Sequence, residues 1–186
     1  MTKKELILEL NSLSALRKNR WRVANLVLEN KNNFKPLLEI VFDVDNKDSI
    51  KAAWVMEFVC HQKLEWLYDS LDYFTNNCKN VHFGSAVRPM AKICQMLVVT
   101  NDKTPVLNLT NKHKELITEI AFDWLISKHK VAVKAYSMLT LYILGKKIDW
   151  VHPELKLIIT QNSSAESAAY KSRGKITLVQ INKFKR

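Results

Sequence analysis

The chain has 186 residues, 47% of them hydrophobic, which is enough for a sizeable core and excludes a disordered polypeptide. Its 29 Lys and Arg against 18 Asp and Glu leave a formal charge of +11, which favours polyanionic partners such as nucleic acid, ribosomes or anionic cofactors without choosing among them. The 3 cysteines, Cys60, Cys78 and Cys94, are odd in number and scattered, so they exclude a disulfide framework and point to a reducing interior.

The amino terminus "MTKKELILEL" breaks its apolar residues with charges and lacks the continuous hydrophobic region of a secretory signal. Leu6, Leu10 and Leu13 form a helical stripe instead. "RWRVANLVLEN" and "NFKPLLEIVFDV" predict two short helices, parted by the Asn-rich break at 30–33. "SIKAAWVMEFVCHQ" and "LEWLYDSLDYFTNN" follow, the second placing Leu64, Leu67, Leu71 and Phe74 on one face. "SAVRPMAKICQMLVV" aligns Val87, Met90, Cys94 and Leu97. After a loop with Pro105 come "HKELITEIAFDWLI", a helix over 131–145, "PELKLIITQN" with Pro153 in its first turn, and a basic terminal helix from about Ala165.

With 3 Gly and 4 Pro in all, the chain is too poorly punctuated for a turn-rich β protein, and the expected class is all-α. No stretch reaches the roughly 20 apolar residues of a membrane span. The best run, "AAWVMEFVC", carries Glu57. The expected setting is the cytoplasm, with no membrane partner.

The helix over 131–145 poses a question, because it is apolar almost all round while Lys134 stands in its first turn, where the backbone dipole disfavours a positive charge. A helix with more than one apolar stripe needs neighbours on more than one side. Its opening recurs along the chain: an apolar or aromatic residue, Lys or Arg, two residues of any type and usually a small one. "VRPMA" at 87–91, "VKAYS" at 133–137 and "YKSRG" at 170–174 follow it, with looser copies "WRVAN" at 21–25 and "IKAAW" at 50–54. The steps between them are 29, 37, 46 and 37 residues. A two-helix repeat occupies roughly 33–47 residues, so three of these steps fit and the first is short.

This opening resembles the second helix of HEAT and armadillo-type repeats. "KVAVKAYSMLTLYILGKK", "PEL" and "SAESAAYKSRGK" are similar to the carboxy-terminal part of HEAT-like DNA alkylation repair proteins, over roughly residues 48–175. They resemble more closely still short proteins of that shape that carry an adenylosuccinate lyase label. The lyase superfamily is known by an "SSxMPxKxNP" loop, whose Met-Pro, Lys and Asn-Pro have no counterpart in "NSSAESAAYKSRG". Lyase activity is therefore not expected. The resemblance implies a right-handed α-α superhelix of about four to five helical hairpins. Its parts are amino-terminal capping helices over 1–47, central repeats over 48–150 and a basic carboxy-terminal cap over 151–186, together a single domain.

The repeated cations Arg22, Lys51, Arg88, Lys134 and Lys171 are the first candidates for function. They either pair with acids or carbonyls and lock neighbouring repeats, or line a groove that meets phosphates. Arg173 and Lys175 join Lys171 as polyanion-binding candidates, in a terminus that also holds Lys183, Lys185 and Arg186. Trp66, Asp69 and Tyr73 share a helical face and form, with Asp123, an aromatic and acidic set of the kind a glycosylase uses on a damaged nucleotide. Against that, Trp124 is in phase with Leu116, Ile117, Ile120 and Ala121 and belongs to a core, which turns Asp123 outward. Cys78 with His82, and Cys60 with His61, make only half of a structural zinc site. No nucleotide-binding, metalloprotease or nucleophile motif occurs, so no cofactor and no catalytic residue is expected. The expected function is a non-catalytic scaffold with a basic groove for a protein or polyanion. The alternative is a DNA-binding protein of the alkylation-repair type, recognising the backbone, and any enzyme activity would be glycosylase-like.

Overall fold

The computed structural model describes residues 1–14, 16–104 and 109–184. The loop expected at Pro105, and Lys185 and Arg186 of the basic terminus, lie outside the described residues. Helices dominate, and no strand occurs among the described residues. In chain order they are α1 (Lys3–Asn11), α2 (Arg17–Leu28), α3 (Phe34–Val41), α4 (Asp48–Gln62), α5 (Leu71–Asn77), α6 (Gly84–Lys103), α7 (Asn111–Ile126), α8 (Val131–Leu144), α9 (Val151–Asn162) and α10 (Ala168–Lys183). The chain forms two compact units, Met1–Ile93 and a second from Cys94 onward.

Helix ends follow local chemistry. Thr2 and Glu5 cap α1 reciprocally, side chain to backbone in each direction. Thr110 and His113 do the same for α7. The terminal helix starts at Ala168 rather than near Ala165, because the Ser167 hydroxyl accepts the Tyr170 amide at 3.3 Å and fixes the first turn there. The single helix expected over "LEWLYDSLDYFTNN" is instead a 3-10 stretch, Leu64–Ser70, leading into α5. Leu64 and Leu67 lie three residues apart, a spacing that a 3-10 turn stacks as well as an α-helix does.

Each unit is built around one enclosed helix. In the first, α4 packs against α1, α2 and α3, burying Ala52, Ala53, Val55, Met56, Val59 and Cys60 on more than one side. In the second, α8 packs against α7, α9 and α10. Every residue from Val131 to Leu144 is buried or half-buried. Met138 and Leu141 meet Ala121, Leu125, Val151, Leu155, Ile159 and Tyr170 in one core cluster. This enclosure accounts for the nearly uniform apolarity of "VAVKAYSMLTLYIL". Lys134 is buried with it and is ion-paired to Glu166, which offsets the unfavourable position in the helix dipole.

Among the described residues, no helix is long and apolar enough to cross a membrane. Among the same residues, no group of three or more His, Cys, Asp or Glu could hold a metal ion.

Candidate functional site

The first unit carries a cavity of about 550 Å³ walled by Arg17, Arg20, Trp21, Glu57, Phe58, His61, Gln62 and Arg88. Three helices supply it. Arg17, Arg20 and Trp21 fall at the i, i+3, i+4 positions of α2 and so share a face; on α4, Glu57 with His61 and Phe58 with Gln62 are two adjacent i, i+4 pairs; Arg88 comes from the start of α6.

Ring contacts and one ion pair line the pocket. Trp21 meets Phe58 edge-on, with ring centroids 4.8 Å apart. The Arg17 guanidinium lies 5.9 Å over the Phe58 ring, and that of Arg20 lies 4.4 Å over Trp54. Arg88 forks onto the buried Glu57 carboxylate, with Nη2 to Oε2 at 2.6 Å and Nη1 to Oε1 at 3.4 Å. Trp54 is itself anchored, since its indole Nε1 donates to the Ser85 carbonyl at 3.0 Å. Pro89 explains why that carbonyl is open. Four residues on in α6, it has no N–H to offer Ser85.

Charge is unbalanced in this space. Three guanidiniums face one carboxylate, which Arg88 already engages. Burial and the neighbouring Arg88 push the Arg20 pKa below its usual range, and Glu57 only partly opposes them. The wall is rich in guanidinium, and its one carboxylate is paired with Arg88, an arrangement suited to an anion. Cys60 lies buried beneath on α4, and burial raises its thiol pKa further from reactivity.

The cations singled out by the repeated opening go to several places. Arg88 is in the pocket. Arg22 points elsewhere on α2, to Glu9 Oε2 at 2.6 Å and Ser12 Oγ at 2.8 Å. Lys51 donates to the carbonyl of Asn11, the last residue of α1, at 3.1 Å. Lys134 is taken by Glu166. On α10, Lys171 and Lys175 are exposed and Arg173 is half-buried.

The aromatic and acidic set is divided. Trp66 packs edge-on to Phe34 at 6.2 Å, while Asp69 and Tyr73 line a smaller hollow of about 380 Å³ with Lys35, Glu39 and Asp72. Asp69 is paired to Lys31 at 2.9 Å. Asp123 is exposed on α7 beside the buried Trp124. Sequence reasoning missed Arg17, Arg20, Trp21 and Phe58, although "RKNRW" at 17–21 held a signal: two arginines and a ring at helical spacing.

The HEAT repeat domain model matches residues 10–181. The chain belongs to the HEAT-repeat family. The match spans most of both units, and with helices throughout it places the fold in the α-solenoid class. No curated protein and no solved structure matches this HEAT-repeat chain.

Proposed function

We propose that this HEAT-repeat chain is a non-catalytic scaffold that captures an acidic segment of a protein partner in the pocket of its first unit. The observation that carries the reading is the excess of guanidinium over carboxylate in a walled cavity with aromatic sides. HEAT repeats are recurrent protein-binding surfaces, and Arg with Trp and Phe is the composition of an interface anchor. Four of the five repeated cations already have a carboxylate or carbonyl acceptor within their own unit, which shifts the binding role from the cation row to this pocket.

Fluorescence anisotropy with a labelled Asp/Glu-rich peptide tests the proposal. The peptide binds the native chain, and the charge reversals R17E and R20E abolish binding while the circular dichroism spectrum stays helical. The competing reading is the alkylation-repair type of backbone contact, which the exposed Lys171 and Lys175 favour. It requires that duplex DNA bind more tightly than the peptide, lose roughly a thousandfold or more in affinity between 50 and 200 mM salt, and depend on Lys171 and Lys175 rather than Arg17 and Arg20. That result displaces the scaffold reading.

A further inference from the structure

We infer that the second unit carries two complementary docking faces, an acidic one on α7 and a basic one on α10, through which the chain binds a second copy of itself head to tail. The contact is separate from the pocket of the first unit and does not depend on it.

The acidic face follows from the spacing of α7. Glu115, Glu119 and Asp123 recur every fourth residue and form one exposed row. Phe122 and Ile126 make an apolar row beside it. Trp150, in the turn before α9, extends that row: its side chain is 54% exposed and its ring stacks on Phe122, with centroids 5.4 Å apart and planes at 22°. The basic face repeats the plan with the sign reversed. Lys171, Lys175 and Lys183 are exposed at the i, i+4 and i+12 positions of one row on α10, with Val179 at i+8 and Ile176 next to it. No Asp or Glu occurs within α10, and Glu166, just before it, is taken by Lys134.

Neither face is satisfied inside the chain. Among the described residues, Glu115, Glu119, Asp123, Lys171, Lys175 and Lys183 form no ion pair. Of the large apolar side chains exposed in the second unit, Ile126, Trp150, Ile176 and Val179 lie on these two faces and Leu157 lies elsewhere. An apolar centre bordered by charge is the anatomy of a contact surface. The two faces also agree in pitch. Four residues advance about 6 Å along a helix, so carboxylates at that interval on α7 meet ammonium groups at the same interval on α10.

Charge selects the occupant. At a formal +11, two copies repel unless the touching patches differ in sign. Pairing α10 with α10 sets lysine against lysine, and pairing α7 with α7 sets carboxylate against carboxylate, whereas α7 with α10 matches. A second copy supplies both the acidic helix that α10 lacks and the basic helix that α7 lacks. The contact is heterologous, so each copy keeps one face open and association continues past the dimer.

Sedimentation velocity on the full chain, from about 5 to 500 μM at roughly physiological salt, measures the association. K171E/K175E breaks the basic face and I126E/W150E the apolar part of the acidic one. All four positions are exposed, and melting curves show that the variants fold. The native mass is expected to rise with concentration beyond that of a dimer. Each variant alone loses at least about tenfold in affinity and stays monomeric. An equimolar mixture gives a one-to-one pair that grows no further, because each variant contributes one intact face. A chain carrying K171E, K175E, E119K and D123K together exchanges the signs and associates again, which decides the matter even if one of the other variants unfolds.

A native chain that is monomeric at every concentration overturns the inference, including when duplex DNA or anionic vesicles then bind the Lys171 row. Native association that neither variant weakens overturns it as well. A native dimer that both variants break and their mixture fails to restore assigns an isologous contact and overturns the head-to-tail pairing. None of these results bears on the acidic-segment reading of the first unit.

Discussion

Trp54 stands in for a missing backbone amide: its Nε1 donates at 3.0 Å to the Ser85 carbonyl, which Pro89 leaves without a helical donor. The same indole is the platform under Arg20. One proline inside α6 therefore determines where a guanidinium of the pocket rests. W54F removes the donor and leaves the exposed carbonyl to water, with an expected cost of about 0.5–1.5 kcal/mol by urea unfolding. P89A gives Ser85 an intrahelical partner, so the cost of W54F falls to a few tenths in that background. A cost unchanged by P89A would show that the indole acts only through packing.

Gly145 and Gly174 test close approach in the second unit. A Cβ on Gly145 would fall 2.1 Å from Cδ2 of the His152 ring, whose Nε2 donates to the Tyr142 carbonyl at 2.7 Å. The φ of Gly145 is −64°, an ordinary helical value, so the requirement is for space alone. G145A is expected to cost about 2–3 kcal/mol, as overpacking of a rigid ring does. At Gly174 the nearest atom to an added Cβ is a methyl of Ile159 at 2.8 Å, and alanine's better helix propensity offsets a small shift. Calorimetry on G174A should give a stability within about 1 kcal/mol of native. A reversed order of the two would refute this account.

Lys134 and Glu166 form a pair whose side chains are 9% and 22% exposed, so breaking it leaves a charge in poor solvent. E166A is predicted to cost about 3 kcal/mol or more. Replacing both partners, as K134M with E166M, should recover most of that loss because no buried charge remains unpaired. Chemical denaturation of the single and double variants checks the order. A double variant weaker than E166A would assign the pair a positive role in specifying the packing.

The thiols make a prediction about pH. Cys60, Cys78 and Cys94 are outside any disulfide and each 1% exposed, so a thiol reagent at neutral pH should label them only after unfolding. Burial, reinforced by Glu57, raises the Cys60 pKa from an ordinary value of 9.0. The folded chain thus keeps a proton that the unfolded chain releases. Stability is unaffected by this group below the ordinary value and falls above it, by up to about 1.4 kcal/mol per pH unit. The C60A variant should lose that alkaline slope.

The fold was legible in the sequence where one helix decides its own environment. The nearly uniform apolarity of 131–145 and the regular opening motif were enough to place α8 among several neighbours. The 3-10 stretch at 64–70 was not, because Leu64, Leu67, Leu71 and Phe74 satisfy either helix type until Lys63 leaves helical geometry, with φ −139° and ψ 61°. The pocket was harder still. The repeated opening drew attention to Arg22, whereas Arg20, two positions earlier on α2, faces the cavity: a shift of two residues turns a side chain by about 200° around the axis. Only the meeting of α2, α4 and α6 brings Arg20 to Trp54 and Arg88, and no local pattern encodes that meeting.

The enclosure of α8 has a consequence for synthesis. Of the helices packed on it, α7 precedes it, whereas α9 and α10 are translated later. For that interval the nascent chain displays a 14-residue oily rod with two of its flanks open to water. Factors that shelter emerging polypeptides have a target there, and a ribosome stalled between α8 and α9 would release a sticky fragment.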